Sequence, residues 1–347
     1  MKKIIAPILS CLVFACSSDV EDVTIEEFSE ETAKKETPSK TENNAPVIGL
    51  QNFTVAEHSQ TGISIGFIQA TDEDSDEITY TLESAADLTL DEKTGELKVG
   101  ANLKLDYETV QNLDFTISAF DGKIITEKDF ILTIEDVDET TLLTVDQKEL
   151  ITYFQHLVFW KEMGNSSVVL NQKWGSAMKL YLDGTISEQF RTTVESVIAQ
   201  YNALFVDGDF SISLTEDSFE ANATLFFGAK NEVENFWPDM YEEIKDGNFD
   251  GFAMTPSANS ILVSTRIWIS NPLEVLLKHE LGHALGFGHS NKCADEHSFL
   301  CSQISTDNDF LPVEKDIIRF MYHSDVPAGL SETEIEMLLA NLILNEQ

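Results

Sequence analysis

Near Thr140 the spacing of apolar residues changes from every second position to every third or fourth, so the chain must fold as two different architectures in series. Across residues 46–139 the apolar residues fall in short alternating runs, at 78–82, 115–119 and 130–134, with turn chemistry between them at 93–95 and at Asp121 and Gly122. Runs of this kind with no helical period between them predict an all-β Greek-key sandwich over residues 46–140.

From residue 141 to 347 the pattern predicts an α/β (α+β) domain. Leu150, Phe154, Leu157 and Lys161 trace one helix face behind a capping-box spacing at Asp146 and Glu149. A strand at 177–182 precedes a helix from Ser187, and strands follow near 210–214, 224–228, 251–255 and 261–264. Asn271 and Pro272 then open a helix as N-cap and first helical residue. A helix over 314–322 closes the domain, and the tail helix from Ser331 carries Glu334 at capping-box spacing and Ile335, Leu338, Leu339 and Leu342 on one face.

The chemistry is concentrated in the run from His279 to His289. Residues four apart share a helical face, so His279 and His283 present imidazole nitrogens to one metal ion, with Glu280 at the edge of that face. Gly286 permits the left-handed turn that ends the helix and brings His289 back to the same ion. Three histidines point to zinc and leave one coordination position open, as a catalytic rather than a structural site requires.

These residues resemble the zinc signature of the metzincin metalloproteases, and Ser290 after the third histidine is most similar to the matrixin branch. The resemblance covers about residues 174–322. It implies a zinc endopeptidase acting on protein or peptide substrates, with Glu280 as general base and a bound water whose pKa falls to ~7. It also implies that the strand Gly251, Phe252, Ala253 and Met254 forms the cleft edge and pairs with extended substrate. One departure is the methionine-containing turn that metzincins place beneath the zinc. Residues 290–304 contain no Met; Met321 suits a core face, and Leu300 or Ile304 is left for the turn.

The sandwich segment resembles a cadherin repeat, through Asn44 to Pro46, Glu57 after Phe53, Asp72 and Asp74, Gly95, Asp106 and Glu108, Asp121 and Gly122, and Asp136 to Glu139. Such repeats bind Ca²⁺ at their junctions. The resemblance places Glu57, Asp106, Glu108, Asp138 and Glu139 at the C-terminal junction, and Asp72, Asp74 and Asp121 at the N-terminal one. With a single repeat, each junction lacks the half-site of a neighbour.

Lys2 and Lys3 before the apolar run 4–15 have the order of a signal peptide, too short to span a bilayer. The run ends at Ala15-Cys16, which resembles the lipobox of bacterial lipoproteins. That implies a signal peptide over 1–15, a lipid on Cys16 as membrane anchor, and placement on the bacterial outer membrane, exposed at the surface. Residues 16–45 are acidic and polar and predict a disordered linker. Removal of Cys11 and acylation of Cys16 leave Cys293 and Cys301, which predicts a disulfide in an oxidising compartment. With 22 Lys and Arg against 61 Asp and Glu, a net charge of −39 opposes any nucleic-acid partner, and a monomer is expected. Two other functions fit the same sequence: a calcium-dependent adhesion or binding lipoprotein, and a hydrolase of peptidoglycan cross-links.

Overall fold

A computed structural model describes residues 42–161, 166–167, 169–294 and 296–346. The signal peptide, Cys16 and nearly all of the acidic linker lie outside the described residues. Residues Ala45–Gln347 form one compact unit containing both architectures. No helix among the described residues is long and apolar enough to cross a membrane.

The first architecture is a sandwich of two sheets. Strands β1 (Phe53–Ala56), β2 (Ser64–Phe67), β3 (Thr79–Ser84), β4 (Leu88–Leu90), β5 (Glu96–Val99), β6 (Asn112–Phe120) and β7 (Ile125–Glu135) divide into the orders β1-β7-β6-β3 and β2-β5-β4. Alternate residues of each strand point inward, so Leu97, Ile117, Leu132 and Ile134 are buried between the sheets. Phe53, Phe115 and Phe130 pack around one another with ring centroids 5.5 to 5.6 Å apart. β1 pairs with β7 in parallel, Ala56 opposite Glu135, so Glu57 and Asp136 leave the sheet at the same end.

Helix α1 (Val145–Phe159) begins the second architecture. Its capping box is Thr144 with Gln147, two residues before the Asp146 and Glu149 spacing expected from sequence: Gln147 N–H donates to Thr144 Oγ1, and Thr144 N–H to Gln147 Oε1. A five-stranded sheet follows, built from β8 (Met178–Gly184), β9 (Ile212–Thr215), β10 (Ala223–Phe227), β11 (Gly251–Met254) and β12 (Thr265–Ile269) in the order β9-β8-β10-β12-β11. All neighbours are parallel except β12 and β11, so β11 is an antiparallel edge strand.

Both faces of this sheet are covered. Ala223, Leu225, Ile267 and Ile269 face a core shared with α1, α2 (Glu188–Asn202) and α5 (Glu274–Ala284), as well as α6 (Pro312–Met321) and α7 (Glu332–Asn345). Phe226 and Trp268 point the other way, onto Val233, Met240 and Ile244 of α3 (Val233–Phe236) and α4 (Pro238–Ile244). Strand β12 therefore does not follow the strand expected at 261–264. That segment holds only a two-residue strand, Ile261–Leu262, and the central strand starts at Thr265. The start of α5 differs as well. Its N-cap is Leu273, because the Asn271 amide donates to Asp250 Oδ1 at 3.4 Å instead of capping the helix.

Helix α7 joins the two architectures. Ser331 caps it with Glu334 in a capping box. At its far end the Asn341 amide donates to Glu108 Oε2 at 2.9 Å and the Asn345 amide to Asp106 Oδ2 at 3.0 Å, while Lys104 Nζ donates to the Asn345 carbonyl at 3.1 Å.

Candidate metal centre and cleft

Helix α5 leaves β12 and runs past the edge strand, carrying His279, Glu280 and His283 on one side. It ends in a Schellman motif. Gly286 N–H donates to the His283 carbonyl at 3.0 Å, and Phe287 N–H to the Gly282 carbonyl at 3.1 Å, with Gly286 at φ 102°. A Cβ there would sit 2.5 Å from the Gln172 carbonyl oxygen, so glycine is required both by the left-handed conformation and by the close approach. The turn returns His289 to the helix face, where its ring centroid lies 5.3 Å from that of His279 and 4.7 Å from that of His283.

One nitrogen from each of the three rings lies within 4.8 Å of the other two. His279 Nδ1 sits 2.9 Å from the Phe299 carbonyl and His283 Nδ1 2.9 Å from the Phe287 carbonyl. A carbonyl can only accept, so both Nδ1 atoms carry hydrogen, and in the neutral rings both Nε2 atoms present lone pairs. Those two Nε2 atoms are 2.9 Å apart. Burial pushes the His279 pKa down to about 4, which keeps that ring neutral. Converging lone pairs, with the His279 and His283 rings each oriented through its other nitrogen, fit a zinc ion.

Beside them Glu280 is 4% exposed, its Oε2 has no hydrogen-bond partner among the described residues, and burial alone raises its pKa to about 8. The edge strand passes directly over this carboxylate. A Cβ on Gly251 would lie 2.5 Å from Glu280 Oε1, so only glycine lets β11 approach. Gly251→Ala should therefore displace the carboxylate. We expect turnover of a cleaved peptide to fall about tenfold or more with zinc content unchanged; wild-type turnover would show that Glu280 is not held by this contact.

A cleft of about 700 Å³ opens over these groups. Gly251, Phe252, Ala253 and Met254 line one wall, with Phe287 to His289 and Ser302, Gln303 and Ile304 around the rest. Cys293 and Cys301 are joined in a disulfide with Cα atoms 5.6 Å apart. It ties the chain after His289 to the turn that supplies the Phe299 carbonyl. Of the residues considered for that turn, Leu300 is fully buried under α5 against Gly282, Ile304 lines the cleft, and Met321 is fully buried in the core.

The backbone around His289 is clamped by Tyr153 and His156, which the sequence did not single out, together with Leu157 and Ser290, which it did. Gly288 N–H donates to the Leu157 carbonyl at 2.6 Å, His156 Nε2 lies 3.1 Å from the His289 carbonyl, and the Tyr153 and Ser290 hydroxyls are 2.6 Å apart. Tyr153 also donates to Glu314 Oε1 at 2.7 Å, and Glu314, fully buried on α6, accepts from Ser298 Oγ and Leu311 N–H. The sequence signals for this clamp are Ser290 directly after the third histidine and polar Tyr153 and His156 beside apolar residues of α1.

At the α7 end of the sandwich, Glu57, Glu108 and Asp136 form one group with carboxylate oxygens within 4.8 Å, and Glu57, His58 and Glu139 form another. Asp136 and His58 were not among the calcium residues expected. Asp106, which accepts from Thr109 and Asn345, and Asp138, which caps the 3-10 helix Glu139–Thr141, are in neither group. At the opposite end Asp72, Asp74 and Asp121 form no such group among the described residues. Asp72 accepts from the Asp74 and Asp76 amides, Asp121 accepts from the Lys123 and Ile124 amides, and Lys123 Nζ supplies positive charge 2.7 Å from Asp76.

No protein-family model matches the chain, and no curated protein matches it. Among solved structures it is similar to human protocadherin-24 EC1-2 (form II), with 29% identity, 28% of this chain and 47% of that one covered, and a TM-score of 0.25. It is similar to mouse clustered PcdhgC3 EC1-3 at 23% identity, covering 27% of this chain and 34% of that one, with a TM-score of 0.24. For Drosophila N-cadherin EC1-4 the values are 21%, 28% and 26%, with a TM-score of 0.26. The chain thus spans less than half the length of each.

Proposed function

We propose that the chain is a zinc-dependent endopeptidase of metzincin, matrixin-like type, exported and anchored to the outer membrane through Cys16, with the sandwich as a spacer. The observation that carries the reading is the placement of a buried, unpartnered Glu280 carboxylate beside three converging imidazoles, under an edge strand. His279, His283 and His289 would hold the ion. Bound there, zinc supplies a Lewis acid for the scissile carbonyl and acidifies water.

The remaining steps belong to the chain. Strand β11 is paired with β12 on one side, and its other edge offers backbone groups to an extended peptide, which fixes the scissile bond across the cleft. Glu280 Oε2 takes the proton of the attacking water and delivers it to the departing amine as the C–N bond breaks. Ser302, Gln303 and Ile304 form the wall against which a substrate side chain beyond the scissile bond would pack. An adhesin has no use for a buried general base beside a metal, which favours hydrolysis over the binding function.

The test is digestion of a peptide library and of purified peptidoglycan by the full chain, before and after chelation and with zinc restored. Internal peptide cleavage that disappears on chelation and returns with zinc supports the proposal. Cleavage of cross-links alone makes it a wall hydrolase, and no cleavage by zinc-loaded protein overturns it.

Calcium at Glu57, Glu108 and Asp136 forms part of the same reading, as a brace for the sandwich end. These carboxylates repel one another: burial, and then the neighbouring Glu57, Glu139 and Asp106 charges, raise the pKa of Glu108 to about 7. With a dissociation constant typical of extracellular modules, millimolar calcium should add about 1 kcal/mol, seen as a rise of about 2 °C in Tm that magnesium does not reproduce. An unchanged Tm would leave the sandwich a plain spacer.

A further inference from the structure

The acidic end of the sandwich contains an imidazole that calcium chemistry does not need. His58 follows β1 with φ 53°, a left-handed conformation that turns its ring toward the cluster, and its N–H is fixed on the Leu105 carbonyl at 3.0 Å. His58 Nε2 lies 3.8 Å from Glu57 Oε2 and 3.8 Å from Glu139 Oε1. The Glu57 side chain is fully buried and that of Glu139 is 8% exposed. Neither His58 Nε2 nor Glu139 Oε1 has a hydrogen-bond partner among the described residues. Glu57 is held by the Val137 and Tyr107 amides at 2.8 Å each, and Glu139 by the short 3-10 helix that Asp138 caps.

A protonated imidazole would donate to one of these carboxylates at about 2.8 Å; 3.8 Å is too long for a hydrogen bond. A tetrahedral ion with bonds of about 2.1 Å separates its donors by roughly 3.4 Å, close to the observed spacing. We propose that Glu57, His58 and Glu139 form a second metal site, for a borderline divalent transition ion of the zinc class, distinct from the three-histidine centre. The nitrogen donor sets the choice of metal, because calcium takes oxygen ligands and zinc takes imidazole with carboxylate. The ion cross-links β1 of the sandwich to the helix Glu139–Thr141, four residues before α1, and neutralises carboxylates that otherwise face each other in a buried place.

The test is elemental analysis of the full chain, purified in detergent and equilibrated with zinc. Wild type should hold about two zinc per chain, His283→Ala and His58→Asn about one each, and the double variant none. Asparagine tolerates the left-handed conformation and keeps an oxygen donor, so His58→Asn should fold, cleave peptide as wild type does, and keep any calcium response while losing the second zinc. If His283→Ala holds no zinc, or His58→Asn holds as much as wild type, the second site does not exist. If wild type holds one zinc that survives His283→Ala and disappears with His58→Asn, the junction site stands and the endopeptidase reading loses its metal.

Discussion

Glu280→Gln is expected to lower peptide cleavage by at least about a hundredfold while zinc content stays at the wild-type level. Glutamine has the shape of glutamate, so it can occupy the same buried place against Gly251 and α5 with little change in packing. It cannot take a proton from water at any working pH, and proton transfer is the one task assigned to this side chain. The His279 and His283 rings orient through the Phe299 and Phe287 carbonyls and the His289 backbone is held by the α1 clamp, none of which involves Glu280, so metal binding should not follow activity downward. Initial rates on a cleaved peptide, measured beside elemental analysis, make the comparison. A rate within about tenfold of wild type would mean that another group carries the proton.

The second large effect concerns the ligands. His283→Ala should release the cleft zinc, one equivalent below wild type, and abolish cleavage with it, because two imidazoles rarely hold zinc tightly. His283 sits between the other two rings, with centroids 4.4 Å from His279 and 4.7 Å from His289, so its removal leaves the pair that are farthest apart, at 5.3 Å. The core under α5 is built from Leu276, Leu277, Leu281 and Leu285, and the half-buried His283 contributes little to it. The variant should thus remain folded, as near-wild-type circular dichroism would show. Undiminished zinc in a folded variant would remove His283 from the ligand set.

How legible these features were in sequence depends on how local their physics is. The convergence of the three imidazoles could be read because a four-residue spacing and one glycine determine it: α5 presents His279 and His283 together and Gly286 turns the chain at φ 102°. The Ser331 and Glu334 cap of α7 was legible for the same reason. Strand β12 was not, since Thr265 to Ile269 is buried on both faces and alternation disappears in such a strand. The cap of α5 was misplaced because Asn271 found a partner 21 residues away, in Asp250. Asp136 and His58 enter the junction cluster only through the parallel pairing of β1 with β7, which no window of sequence displays. The hydrogen bonds from α1 to the His289 segment join residues more than about 130 positions apart.

That clamp also bears on where this chain can be cut. Every proposed ligand and the proposed general base lie between His279 and His289, yet the backbone carrying His289 leans on Tyr153, His156 and Leu157, which precede the first strand of the five-stranded sheet. A fragment excised from residue 174 onward would contain the whole signature and still hold its third ligand loosely, so its zinc would exchange faster than in the parent. The smallest autonomous catalytic piece must begin ahead of Thr144, where the cap of α1 is made. A transplant of the signature helix alone into another scaffold would need a substitute for α1 before it could bind metal with the parent's grip.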